Sequence, residues 1–182
     1  MLQKFTNTPW VVVKPVICGD RNRDAYYINN LTDSHRFEVD IDTLFAQNGV
    51  DLGLYYGRDE QYNQGENRLG IEIKRDKKSS EGSPNLFIEY QERLNPRSQE
   101  WVNSGILRDD NTRFYLIGDI DNFWVFNKED LVYIYNQLYR GNSYYNGCRL
   151  VKVGRGTSRG YIIPKDYANQ IAISFEELLQ QI

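Results

Sequence analysis

Two charged residues inside an apolar run carry the clearest chemical meaning in this sequence. Glu72 and Lys74 lie two positions apart, next to Ile71 and Ile73, in the stretch Leu-Gly-Ile-Glu-Ile-Lys-Arg. In a strand, positions two apart point to the same face, so the two charges project together while the isoleucines enter the core. A carboxylate can hold a divalent cation, and an ammonium group beside it can meet an attacking water or a phosphate oxygen. The pair therefore suits metal-dependent hydrolysis of a phosphodiester.

An acidic residue upstream extends this pattern. Asp51 begins a second strand-like run, which we predict to span 50–57 after the turn signal Asn-Gly. A polar loop separates this run from a strand predicted over 68–75. An acid at a strand start, followed by Glu-x-Lys on the next strand, resembles the PD-(D/E)xK nuclease superfamily of restriction enzymes, homing endonucleases and archaeal-type Holliday junction resolvases. The resemblance covers 50–91, and Val50 stands where the family name has Pro.

The resemblance implies a fold, a cofactor and roles for these residues. It implies an α/β fold of the restriction-endonuclease type, with a mixed central sheet flanked by helices, formed by residues 1–182 as a single nuclease domain. It also implies Mg²⁺, for which Mn²⁺ should substitute, bound by Asp51, Glu72 and the carbonyl of Ile73. Lys74 would then position the attacking water.

Two further acids are candidates for the same site. Glu38 lies on a helix predicted over 36–47, where members of the superfamily often carry an extra acid, and we prefer it to Asp40 and Asp42. Glu89 lies on the strand predicted to follow the Glu-x-Lys strand, and its side chain could approach the metal or a water. Both residues could equally belong to polar outer faces.

The charge distribution points to a nucleic-acid partner more than the net charge does. A net charge of -3 and a pI near 5.3 argue mildly against general nucleic-acid binding. The segment 149–165, however, holds five basic residues and no acid. We expect these residues to contact the phosphates of double-stranded DNA; they are Arg149, Lys152, Arg155, Arg159 and Lys165. A homodimer or higher homo-oligomer would place two sites on the two strands.

Several classes of site are excluded by residue types. Cys18 and Cys148 have no Cys or His at metal-ligand spacing, and His35 is the one histidine, so a zinc module and a nucleophilic triad have no support. The absence of a signal-peptide pattern favours a cytoplasmic protein of prokaryotic or phage type. No apolar run approaches the length of a membrane span.

The remaining patterns predict the elements that would support the site. Strands are predicted over 10–17, 85–93, 112–119, 123–126, 150–153 and 161–163, and helices over 127–140 and from a capping box at Ser174. The polar segments 18–36 and 141–160 are predicted to be insertions that enter the grooves of DNA.

Three functions remain open at this stage. The first is a Mg²⁺-dependent, site-specific DNA endonuclease, with a Holliday junction resolvase as the alternative inside the same superfamily. The second is a non-catalytic DNA-binding or interaction protein, which the acidic pI favours. The third is a glycosidase with two carboxylates, which leaves Lys74 and the basic segment unexplained.

Overall fold

The strands form two sheets rather than one central sheet. The computed structural model describes residues 21–55, 64–141, 143–151 and 156–182, without the side chains of 21–31 and Ser80. The strand predicted over 10–17 and the residues Cys18, Lys152 and Arg155 therefore lie outside the described residues. The prediction of a mixed α/β protein is confirmed.

The described elements are helices and strands in mixed order along the chain. The helices are α1 (Arg21–Gln47), α2 (Lys77–Ser80), α3 (Lys128–Tyr139), α4 (Lys165–Ile171) and α5 (Phe175–Gln181), with a 3-10 helix at Gly105–Leu107. The strands are β1 (Ile71–Arg75), β2 (Asn85–Glu92), β3 (Val102–Asn103), β4 (Phe114–Asp119), β5 (Asn122–Asn127), β6 (Arg149–Val151) and β7 (Ser158–Pro164). No helix among these residues combines the length and the apolar character that crossing a bilayer requires.

A three-stranded sheet forms the middle of the molecule. Its strand order is β1-β4-β5, with β1 parallel to β4 and with β4 and β5 joined as an antiparallel hairpin. The second sheet is antiparallel and has the order β3-β2-β7-β6. Strand β1 is therefore an edge strand of the middle sheet, with one row of main-chain groups left for other partners.

The two faces of β4 bury side chains in different cores. Tyr115 and Ile117 join an apolar cluster with β2, β7 and α3, whereas Phe114 and Leu116 join a cluster with α1 and α5. This alternation is what a strand buried on both faces requires. The middle sheet thus lies between a helical layer and the second sheet.

Helix α1 is longer than the sequence pattern indicated. The predicted helix over 36–47 is its C-terminal part, and residues 21–36 of the predicted polar insertion are helical as well. Contact of this segment with a DNA groove stays a prediction. Phe37, Ile41 and Phe45 recur every four residues and are buried against β1. This apolar stripe positions the polar face of α1 relative to the edge strand.

Most of the other predicted elements are confirmed, and one predicted strand is wrong. The strands over 85–93, 112–119, 123–126 and 161–163, the helix over 127–140 and the capping box at Ser174 are confirmed within a few residues. The strand predicted over 150–153 is confirmed for its described residues, 150–151. The strand predicted over 50–57 is wrong for 50–55, where Leu54 forms one isolated bridge with Asn67. There the Asp51 carboxylate accepts a hydrogen bond from the N–H of Gly53, whose φ is 60°, and this turn prevents an extended strand.

Candidate functional site

Glu72 and Lys74 project from the edge strand β1 into the space between the two sheets. In the parallel register with β4, Glu72 lies opposite Tyr115 and Lys74 lies opposite Ile117. The intervening Ile73 points to the other face and packs with α1. The predicted division between a charged face and an apolar face is therefore confirmed, but the charged face is covered: the Glu72 side chain is only 1% exposed.

The Glu72 carboxylate is buried, and Lys74 is its counterion. Lys74 Nζ lies 2.7 Å from Glu72 Oε1, and the ammonium side chain remains 46% exposed. Among the described residues, neither oxygen of Glu72 accepts a well-aligned hydrogen bond. A buried carboxylate normally satisfies its lone pairs with several donors, because desolvation of the charge is costly. Lys74 is thus the one positive group in contact with this carboxylate among the described residues.

Glu66 is the second acid of this group, and the sequence analysis did not select it. Its Oε2 accepts a hydrogen bond of 2.7 Å from the N–H of Ile73, and its Oε1 lies 3.6 Å from Lys74 Nζ. Burial, followed by the negative charge of Glu72, raises the pKa of Glu66 to about 8. Two neighbouring carboxylates repel each other when both are ionised, and a cation bound between them would relieve this repulsion.

The segment before β1 brings Glu66 to its free edge. The side chain of Asn67 bonds both the N–H and the C=O of Ile71, as a neighbouring strand would. Gly70 has a φ of 73°, and a Cβ there would lie 2.4 Å from the carbonyl oxygen of Asn111, so this turn requires glycine. The signal available in the sequence was this Asn-x-x-Gly turn immediately before the strand.

The Ile73 carbonyl lies on the same edge as Glu66. In a parallel strand, the N–H and C=O of one residue point to the same side, as both groups of Ile71 do. The C=O of Ile73, two residues on, therefore points to the side on which Glu66 receives the Ile73 N–H. The prediction that this carbonyl joins the site fits this geometry.

Glu38 reaches the site from α1. Its carboxylate contacts His35 Nδ1 at 3.7 Å and is partly exposed. Burial raises the pKa of Glu38, while the charges of His35 and Lys74 oppose this rise. Glu72 in turn is the main cause that raises the pKa of Lys74 above its ordinary value. The acid predicted on the first helix is thus within electrostatic reach of the Glu72–Lys74 pair.

Glu89 faces the same pair from the second sheet. It lines a cleft of about 230 Å³ together with Lys74, Gly105 and Tyr115. Ser104 Oγ donates a hydrogen bond of 2.8 Å to Glu89 Oε1. The cleft opens between the two sheets, so a substrate group placed in it would contact both.

Asp51, by contrast, lies apart from this group. Its side chain is 81% exposed, and its oxygens bond Gly53 and contact Arg68 at 3.5 Å. It is not among the charges that most affect the pKa of Glu38, Glu66 or Lys74. Glu66, rather than Asp51, is the second acid that acts on Lys74.

The predicted phosphate-binding residues have different surroundings. Arg149 is exposed on β6. Arg159 stacks on Trp101 at 3.9 Å and donates to Gln91, while Lys165 Nζ donates to the carbonyl of Ser79. Arg159 and Lys165 therefore hold the second sheet and its neighbours together in addition to any role with DNA.

The donor set suits a hard divalent cation. Within the described residues, no group of three or more His, Cys, Asp or Glu side chains is arranged to hold a metal ion. Glu66, Glu72 and the Ile73 carbonyl offer oxygen atoms, the kind of ligand that Mg²⁺ takes in proteins.

Comparison with known proteins leaves this geometry as the basis for function. No protein-family model, no curated protein and no solved structure matches this chain.

Proposed function

We propose that this protein is a metal-dependent DNA endonuclease whose site is formed by Glu66, Glu72 and Lys74. The observation that carries the proposal is the buried Glu72 carboxylate, which accepts no well-aligned hydrogen bond and shares the Lys74 ammonium with a second acid, Glu66. In a purely structural ion pair, the other lone pairs of the carboxylate would also accept hydrogen bonds, because removing a carboxylate from water is costly. A cation site leaves them free.

In this proposal, each residue of the site has a separate role in hydrolysis. Glu66 and Glu72, with the Ile73 carbonyl, would hold Mg²⁺, and the bound cation would neutralise charge at the phosphate and lower the pKa of the attacking water. Lys74, fixed by both acids and half exposed, orients this water and stabilises charge on the phosphate. Glu38 adds negative charge on the side of α1 and tunes the affinity for the cation.

Site-specific cutting of double-stranded DNA is the form of this activity that we propose. Glu89 and the cleft between the sheets lie beside Lys74, and exposed Arg149 lies on the second sheet. A homo-oligomer with two such sites would cut both strands; this assembly, like the DNA target, stays a prediction.

The direct test is cleavage of supercoiled plasmid, phage DNA and a four-way junction, with Mg²⁺ or with EDTA. We expect the wild-type protein to cut duplex DNA with Mg²⁺ and not with EDTA. The cleavage rate of Lys74→Ala should be at least about 100-fold lower. Lys78→Ala removes an exposed lysine of α2 and is the matched control, which should retain full activity.

A second substitution separates loss of chemistry from loss of folding. Lys74→Ala leaves the Glu72 charge buried without its counterion and is expected to destabilise the protein. Glu72→Gln removes that charge while keeping the shape, so it should abolish cleavage without lowering the free energy of unfolding. Cleavage of the junction alone would establish a resolvase. No metal-dependent cleavage of any substrate, together with no binding of Mn²⁺, would overturn the proposal.

A further inference from the structure

A groove on the second sheet continues the cleft that contains Lys74. The groove has a volume of about 470 Å³ and is lined by α2 and by strands β2, β7 and β6. Asp76 and Phe87 line this groove, and the same two residues line the cleft of about 230 Å³ at Lys74. The two cavities therefore share a wall, and a chain molecule in the cleft can extend past Phe87 into the groove.

Phe87, Ile162 and Arg149 form a row across the outer face of the second sheet. Phe87 of β2 pairs with Ile162 of β7, and Ile162 pairs with Arg149 of β6. Paired residues of an antiparallel sheet point to the same face. Leu86 and Ile88, on either side of Phe87, point to the opposite face and are buried in the core. With strands about 4.8 Å apart, the main chain at Arg149 lies roughly 10 Å from that at Phe87.

The Phe87 side chain is both exposed and held in place. Phe87 is 39% exposed, although its neighbours along β2 are buried. Its ring lies against Gly160 of β7, where a Cβ would collide with the ring, so the ring has room because this residue is glycine. The N–H of Phe87 donates a hydrogen bond of 3.3 Å to Asp76 Oδ2, which ties β2 to the residue before α2. A fixed and exposed aromatic ring is a surface on which a nucleic-acid base can stack.

Positive charge surrounds this ring. Lys77 lines the groove with 49% of its side chain exposed, and Arg149 is exposed beside it on β6. Asp76 also lines the groove, but its carboxylate accepts hydrogen bonds from two main-chain N–H groups. Asp33, which lies 3.6 Å from Lys77, is shared with Arg75 at 3.3 Å. An aromatic ring among basic side chains matches the bases and phosphates of a nucleic-acid strand.

We propose that this groove binds the substrate strand as an unpaired segment of nucleic acid, with a base stacked on Phe87 and a phosphate bound by Arg149. The segment is unpaired because a base inside a duplex is stacked on its neighbours and does not present its face to a side chain. A duplex substrate would therefore open locally beside the cleft. This inference rests on the proposed function, since it takes the cleft at Lys74 as the place where the strand is cut.

Binding of a short single-stranded DNA in EDTA tests this surface without cleavage. Fluorescence anisotropy gives the Kd of wild type, Phe87→Ala, Phe87→Trp and Arg149→Ala at several salt concentrations. Loss of one stacked base should raise the Kd of Phe87→Ala roughly 5- to 100-fold, and Phe87→Trp should restore binding. Arg149→Ala should reduce the slope of log Kd against log salt concentration by about 0.7, which corresponds to one phosphate contact. Phe87→Ala should leave this slope unchanged.

A fluorescent adenine analogue in the same DNA reports stacking directly, because its emission is quenched when it stacks on an aromatic ring. We expect quenching by wild type and Phe87→Trp, and weaker quenching by Phe87→Ala. Tyr139→Ala and Arg140→Ala are the matched controls, since they remove an exposed aromatic ring and an exposed guanidinium at the end of α3. Both controls should bind and quench like wild type.

The outcomes separate this surface from the nuclease proposal. Binding and quenching by Phe87→Ala and Arg149→Ala equal to those of wild type, or no binding of single-stranded DNA by wild type, would overturn the surface and leave the nuclease proposal standing. Binding that depends on Phe87, without metal-dependent cleavage by wild type, supports the surface and refutes the nuclease. If Phe87→Ala fails to fold, Phe87→Leu replaces it, because leucine keeps an apolar side chain over Gly160 and removes the ring.

Discussion

Substitution of Glu66 by glutamine should reveal the electrostatic strain of the site in the metal-free protein. Burial and the neighbouring Glu72 raise the pKa of Glu66 from its ordinary value near 4.5 to about 8. Between these two values the folded protein holds a proton on Glu66 that the unfolded chain has released. The free energy of unfolding must therefore fall as the pH rises through this interval, and it levels off above the folded pKa.

The magnitude follows from the two pKa values. Each pH unit between the unfolded and folded pKa corresponds to about 1.4 kcal/mol, so full ionisation of Glu66 costs up to about 5 kcal/mol. The glutamine side chain of the variant would be neutral at every pH and would still accept the N–H of Ile73 through its amide oxygen. Glu66→Gln should thus match wild type near pH ~4.5 and exceed it by about 2–5 kcal/mol near pH ~9.

Urea unfolding in EDTA measures this difference. Curves are recorded for both proteins at a series of pH values, and the m-values are compared so that a change in the unfolded state is recognised. Addition of Mg²⁺ at high pH should then stabilise wild type, in which the cation binds the ionised pair, and leave Glu66→Gln unchanged. Glu81→Gln, an exposed acid after α2, is the control.

Parallel pH profiles of wild type and Glu66→Gln would refute this reasoning. They would mean that Glu66 ionises in the folded protein as readily as in water, and that its carboxylate is not under the influence of Glu72. Stabilisation of both proteins by Mg²⁺ to the same extent would refute the assignment of Glu66 to the cation site.

Three further substitutions test the elements that support the site. Ile41→Ala removes a fully buried side chain of α1 and should lower the free energy of unfolding by about 2–5 kcal/mol in urea titrations; an effect under about 1 kcal/mol would contradict the packing of α1 on β1. Gly105→Ala places a Cβ 2.2 Å from the Glu89 carbonyl oxygen and should lower the Tm more than Gly82→Ala, which has a positive φ but open space; equal shifts would contradict that close approach. Asp51→Asn changes an exposed carboxylate and should alter Mn²⁺ affinity by less than about twofold, whereas loss of binding would restore Asp51 as a ligand.

The Glu-x-Lys pattern could be interpreted from the sequence because the direction of side chains along a strand depends only on neighbouring positions. Alternation in a strand places Glu72 and Lys74 on one face whatever the rest of the fold does. Which residue supplies the second acid depends on the path of the chain before β1, and local patterns do not determine that path. Asp51 stood at the start of an apolar run, but the Asx turn at Gly53 interrupts that run.

Glu66 was not selected because its position depends on a turn, and the Asn-x-x-Gly signal of this turn does not indicate where the preceding acid points. It belongs to a polar segment that the sequence marks only as a loop. The side chain of Asn67 imitates a neighbouring strand and carries Glu66 to the free edge of β1. A side chain that replaces strand pairing has no periodic signal.

The arrangement of strands in two sheets was equally beyond local patterns. Most strands were predicted at the right positions, since alternation and turn residues mark them individually. Pairing of β1 with β4 and of β2 with β7 is a choice between distant partners. That choice decides that Glu72 is buried between sheets rather than exposed on an outer face.

Binding of Mn²⁺ followed by electron paramagnetic resonance tests the central claim most directly. Titrations of wild type, Glu72→Gln, Glu66→Gln and Asp51→Asn compare the two buried acids with the exposed one. We predict saturable binding in wild type and Asp51→Asn, and a loss of at least about tenfold in affinity in each of the two buried-acid variants. Binding that survives in Glu72→Gln, or that is absent from the wild-type protein, would contradict a cation site at the Glu66–Glu72 pair.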